Sequence, residues 1–321
     1  MGDFGINLLA HFGITGVKAV KERGYYLCDT ANGFVKIHRT SDEPMEIYTR
    51  HDLLKKLENA GFLNGELILE TPQGIPYVNL GRDMFIMCRH IPGRDLDLDN
   101  PNDIALALET LARFHQAACN ISVGYEPSPL LTEVYAKQSA ALNHAVKQVN
   151  RRPRLSDFDI LLIKYANLYG DYAADAQSAL AKTDYAALHS QALSQGRVCH
   201  NALKEENLPI YKDSCYLLNL SDATIDLQLT DLSNFIRRYA RRSSRSIPIQ
   251  RLIELYSKFN PLPDSARAII HAQLSYPWPF MKIVSQYYSK KRNFTPVAIT
   301  SRMTEVLEEQ AAYDGYVNTL Q

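Results

Sequence analysis

Residues 198–208 read VCHNALKEENL, and this stretch decides how the whole chain is to be understood. It has the form of an active-site loop: a short apolar piece, a polar turn from His200 to Asn207, then strand-like pieces around 208–211 and 216–220. These pieces interrupt a part of the chain that is otherwise helical in period. The loop raises a direct question, which is where its acid lies.

On the N-terminal side, YYLCDTANGFVKI (25–37) reads as two short strands around a turn where Asn32 and Gly33 can take positive φ. EIYTRHDLLKKLENAGF then puts Leu53, Leu54 and Leu57 on one helical stripe that ends at Gly61. GELILETPQGIPYVNLGRDMFIMCRHI gives three apolar runs broken by Pro72-Gln73-Gly74 and Gly81-Arg82-Asp83, the pattern of antiparallel strands. Residues 1–91 therefore read as a small sheet with one helix. Beyond them, DIALALETLARFHQAA has the helical period with Asp103 near its start, and segments 155–193, 249–260, 264–274 and 301–319 repeat it. The fold class is α+β.

The 321 residues suffice for one large two-lobed domain or two ordinary ones. Lys plus Arg and Asp plus Glu both number 35, so no net field draws the chain to nucleic acid or to an acidic membrane surface. Cys28, Cys88, Cys119, Cys199 and Cys215 are odd in number and never spaced as CxxC, which argues against a disulfide framework or a structural zinc site and for a reducing compartment. The N-terminal stretch lacks a basic leader with a cleavage site, and no apolar run approaches the about 18 residues of a membrane span. A soluble cytoplasmic protein is expected.

A small sheet with one helix, a strand reaching Pro92-Gly93, and a helical part interrupted by a loop and two small strands resembles the kinase-like fold. FVKI supplies Lys36 on the third strand, HNALKEENL resembles the HGDxxxxN loop of aminoglycoside and choline kinases, and LLNLSDATID (217–226) looks like their metal-binding IDFD segment. A narrower resemblance, to the CotS-like spore coat proteins, runs nearly end to end. It is carried by Lys36, Gly61-Phe62, Gly93-Arg94, LARFH (111–115), TDLSNFIRR (230–238) and LSYPWPFMKIVSQYYSKKRNF (274–294). It implies a bilobal protein-kinase-like fold, with a small antiparallel N-lobe over 1–91 and a mainly helical C-lobe over 92–321 in which the catalytic and metal loops are degenerate.

The resemblance also implies where the chemistry is missing. Phosphoryl transfer needs a residue to orient the acceptor, metal ligands, and a cation on the phosphates. Counting back five from Asn207 reaches Ala202 where active relatives hold aspartate, and the glycine before it has become Asn201. Asp226 and Asp231 keep the family's later spacing and fix the register, which puts Asn219 and Ser221 on the two metal carboxylates. Mg²⁺ prefers anionic oxygen, so an amide and a hydroxyl there predict no metal site. What remains is a vestigial nucleotide site with Lys36 and, as its acidic partner, Asp52, with Glu46 as the other choice. His200 and Asn207 brace the loop.

Other residues read as structural. His115 lies on the apolar face of its helix, and Trp278 between Pro277 and Pro279 reads as a packing anchor. The basic run 237–246 reads as a solvated face, with contact to an acidic partner as the alternative. Tyr287, Tyr288 and Arg292 are the expected partner surface, since Tyr and Arg are favoured at interfaces. The resemblance thus implies a catalytically inactive spore coat protein, a structural or binding module in coat assembly. It is made in the mother-cell cytoplasm and then held in the coat by other coat proteins, with no nucleic acid, membrane span or cofactor. Two rivals stand beside it. One is a small-molecule phosphotransferase using Mg-ATP, with metal on Asn219 and Asp222 and Glu205 or Glu206 as base; the other is a nucleotide-binding switch without turnover.

Overall fold

The computed structural model describes residues 2–22, 24–121, 124–288 and 295–320. The expected hairpin is present as β2 (Tyr25–Thr30) and β3 (Gly33–Thr40), and of the two turn residues only Gly33 takes the left-handed φ, 100°. Ahead of it lie α1 (Gly2–His11) and β1 (Gly16–Glu22), neither of which the sequence pattern predicts. Four glycines within 16 residues obscure the helical pattern of α1. One of them has a packing reason: a Cβ on Gly5 would lie 2.6 Å from the Ala19 side chain, so the glycine lets α1 sit tightly on β1.

Helix α2 (Pro44–Asn59) follows, opened by a reciprocal capping box between Glu43 and Glu46. Next come β4 (Ile68–Leu69), β5 (Val78–Leu80) and β6 (Asp83–Arg89). The sheet order is β1-β2-β3-β6-β4 with β5 also on β6, every pair antiparallel. Leu8 and Leu9 of α1, with Phe12 just after it, bury against Cys28, Val35, Ile37, Phe85 and Met87 of the sheet. The alternate strand face carries Lys36, whose register partners are Leu27 and Cys88.

Two compact units divide the chain, Met1–Glu126 with Gly196–Thr224, and Pro127–Gln195 with Ile225–Gln321. This division differs from a boundary at residue 91. The first unit takes in α3 (Pro101–Ala117) and the loop strands β7 (Val198–Cys199), β8 (Ile210–Tyr211) and β9 (Ser214–Cys215). Hydrogen bonds knit them to the sheet portion: Asn64 Nδ2 and Thr110 Oγ1 both donate to the Cys215 carbonyl, at 2.8 and 3.2 Å. Gly93-Arg94 has a double role here. A Cβ on Gly93 would fall 2.8 Å from the Ile210 carbonyl, and Arg94 pairs with the buried Asp103 of α3.

The second unit is helical: α4 (Leu131–Val149), α5 (Asp157–Ala181), α6 (Tyr185–Ser194), α7 (Leu229–Arg242), α8 (Ile249–Ser257), α9 (Ala266–Ser275), α10 (Trp278–Tyr288) and α11 (Pro296–Val317). The segment 155–193, periodic throughout in sequence, is two helices, because Thr183 turns its hydroxyl back to Leu180 O and receives the Tyr185 N–H. The basic run is not a plain solvated face. Arg237 donates to Asn234 and to the Gln273 carbonyl, and Arg241 lies over the Tyr313 ring and bonds Gln310. Tyr287 and Tyr288 are likewise engaged within the unit: Tyr287 stacks on Phe158 and the Tyr288 hydroxyl donates to Asp159 at 3.1 Å. Arg292 lies outside the described residues.

Candidate functional site

The first unit contains a cleft of about 490 Å³ between β3, α2, the end of β6 and the loop segments. Such a volume suits a small ligand. Lys36 lines it, with its ammonium 4.5 Å from the centre of the Tyr25 ring and, among the described residues, no ion pair. Neither acid expected beside it is there. Asp52 is exposed and pairs with Lys56 one turn on, at 2.6 Å, and Glu46 caps the start of α2. The acids that do line the cleft are Asp42, Glu66, Asp95 and Glu206; of these, Glu66 is hydrogen-bonded to the buried Cys88 thiol across from Lys36, and burial first, then the Glu66 charge, pushes that thiol well up.

The loop over 198–208 is a braced backbone turn. Ala202 is 4% exposed. His200 is fully buried; its Nδ1 accepts from the Ala202 N–H at 3.1 Å, so its Nε2 carries the proton and donates to Leu218 O at 2.8 Å. Asn207 Nδ2 donates to the Ala202 carbonyl at 2.8 Å, and its own carbonyl receives the Leu218 N–H. Asn201 holds φ 61°, a conformation asparagine tolerates, and its amide reaches Asp222 O and Thr224 Oγ1. These bonds hold the backbone of the turn, and the side chain at position 202, where the resemblance places an acceptor-orienting acid, is a methyl group.

The next segment presents Asn219, at φ 63°, and Ser221 to the cleft. Asp222 is not among the lining residues, whereas Glu206 is. Arg50, from the buried face of α2, reaches this segment: its Nη1 donates to Ser221 Oγ and to Asp42 at 2.9 Å. Nearby His38 also lines the cleft, and burial, followed by the charges of Lys36 and Arg50, lowers its pKa to about 4. The Asn219 amide and the Ser221 hydroxyl bring no anionic oxygen, and the hydroxyl already accepts from the Arg50 guanidinium. The donor set is a poor match for Mg²⁺.

The sequence profile of the family described as "Spore coat putative kinase YutH" matches residues 6–320. The chain belongs to this spore coat kinase-like family. Among solved structures, an aminoglycoside phosphotransferase from Alicyclobacillus acidocaldarius is similar at a TM-score of 0.84 and 16% identity, over 98% of this chain and 94% of that one. The spectinomycin phosphotransferase APH(9)-Ia, with ADP and spectinomycin, gives 0.63 and 13% over 98% of both. A microcompartment-associated aminopropanol kinase gives 0.60 and 13%, over 99% and 98%. At these identities the likeness shows the fold, which is that of the aminoglycoside phosphotransferases and choline kinases.

Within the family's fold, the structure brings Lys36, Asn207, Asn219 and Ser221 to one cleft and leaves Asp52 outside it. Sequence reasoning missed Arg50, His38 and Glu66. Arg50 carried a signal: it shares the α2 stripe with Ile47, Leu53, Leu54 and Leu57, and a charged residue on an apolar stripe must have a buried partner. Glu66 and His38 carried none, since a lone acid before one strand and a histidine near the end of another read as surface.

Proposed function

We propose that the protein is a catalytically inactive kinase-like module of the spore coat, acting by binding rather than by phosphoryl transfer. The observation that carries this reading is Ala202, a buried methyl in a loop whose backbone groups are already bonded to His200 and Asn207. Loss of a general base alone lowers rates about 10²- to 10⁴-fold, and the Asn219 and Ser221 positions lack the carboxylates that phosphoryl transfer uses to hold metal. Family membership supports the coat as its place and other coat proteins as its partners.

The test is incubation of the purified full chain with Mg-ATP and a panel of aminoglycosides, choline and amino alcohols, following both ADP release and labelled phosphate transfer. No turnover above a heat-inactivated control is expected. Turnover abolished by Lys36→Ala would establish the phosphotransferase reading, in which Glu206, which lines the cleft, takes the role of base.

A further inference from the structure

The inactive reading leaves open what the cleft holds, and its unpaired groups bear on that. Arg50 is 5% exposed, yet its Nε is buried without a partner while Nη1 serves Asp42 and Ser221. His38 Nδ1 is buried and unpartnered as well. Lys36 has an aromatic ring beneath it and, among the described residues, no carboxylate partner. Lys36 and Arg50 both line the cleft and are cations a ligand there would meet, and the unmet nitrogen of Arg50 shows that its hydrogen-bonding capacity is not used up among the described residues.

Acids line the cleft too, namely Asp42, Glu66, Asp95 and Glu206, so net charge does not select the ligand. Placement does. Asp42 is already neutralised by Arg50, and Glu66 is bonded to Cys88. At His38 the two cations Lys36 and Arg50 act together against Asp42 alone. A guanidinium matches the geometry of phosphate oxygens, and an ammonium complements it as a point charge.

We propose that Arg50 stands in for the divalent cation, so that a metal-free polyphosphate, as in ATP, binds this cleft with its phosphates on Arg50 and Lys36. This rests on the inactive reading above. It follows that Mg²⁺ weakens binding, because it occupies the phosphate oxygens that Arg50 and Lys36 would use.

The experiment is isothermal titration of the full chain with ATP in EDTA, with ATP in excess Mg²⁺, and with inorganic tripolyphosphate in EDTA. Binding in EDTA at least 10-fold tighter than in Mg²⁺ is expected, with tripolyphosphate displacing ATP. Arg50→Gln should weaken binding in EDTA at least 10-fold. Since Arg50 is buried and that variant could misfold, Lys36→Gln and Ser221→Asp serve beside it. The aspartate would engage Arg50, and the same loss is expected from both while their melting temperatures stay near that of the parent. No binding in EDTA, tighter binding with Mg²⁺, failure of tripolyphosphate to compete, or unchanged affinity in folded Lys36→Gln and Ser221→Asp would each overturn the proposal. Mg²⁺-dependent binding without turnover would overturn it alone and leave the inactive reading standing.

Discussion

The side-chain amide of Asn207 donates to the carbonyl of Ala202 at 2.8 Å. Here the contact holds a turn. Asn207 is 7% exposed, so removing its amide leaves a buried carbonyl without that donor. Asn207→Ala should destabilise the protein by about 1–3 kcal/mol, read as a lower denaturant midpoint with an unchanged slope. A neutral result would mean that the loop is not held by this bond.

Much of this turn is legible in the amino-acid sequence. His200, Ala202 and Asn207 stand in a fixed spacing, and local spacing along the chain is what a sequence displays directly. Arg50 and Ser221 are 171 residues apart, and their contact depends on how α2 meets a loop from the far end of the unit. The acid beside Lys36 is illegible for the same reason. The resemblance and the place of the helix offer Asp52 and Glu46 as candidates, but they cannot say that one pairs with Lys56 and the other closes a capping box. The first 22 residues give no clear helical signal because glycines mask α1, although close packing on β1 is why Gly5 is present.

His38 should make the protein acid-sensitive. Its folded pKa is about 4 against an ordinary 6.5, so between those values the unfolded chain binds a proton that the folded one does not. Stability is then full above pH 6.5 and falls as the pH drops to 4, by at most about 3 kcal/mol. His38→Gln should flatten this part of the profile in urea unfolding at pH 7.5, 5.5 and 4.5. An equally steep profile in the variant would show that other groups set it.

Tyr288 belongs to the surface that sequence composition marks for a partner, yet its contacts are internal. Its hydroxyl bonds Asp159, whose two carboxylate oxygens each accept from Arg152 at 2.8 Å and which caps α5 with Ser156. Tyr288→Phe should lower stability by about 0.5–1.5 kcal/mol, and Tyr287→Ala, which removes a ring stacked on Phe158, by more. Thermal melts of the two variants decide whether these tyrosines serve the fold. If both melt like the parent while coat incorporation fails, they belong to an interface after all.

Asp226 supplies the opposite pH dependence in the second unit. Burial, with the nearby Asp231 charge adding to it, raises its pKa from 3.8 to about 7, against the pull of the Leu227 N–H and Ser128. His189 Nε2 sits 3.5 Å from the Asp226 carboxylate, but the same nitrogen is 3.1 Å from the Ser128 carbonyl, and burial lowers the histidine's pKa. Two buried groups that both resist charging make a neutral contact and not an ion pair. The folded state therefore keeps a proton on Asp226 that the unfolded chain loses above pH 3.8, so this residue's contribution to stability falls as the pH rises from about 4 to about 7. Asp226→Asn should gain on the parent as the pH rises from about 4 to about 7, so that it is already more stable at pH 5 and exceeds the parent by up to a few kcal/mol at pH 8. Should the variant instead be weaker than the parent by the same amount at both pH values, Asp226 is ionised against a protonated His189, and the neutral contact is wrong.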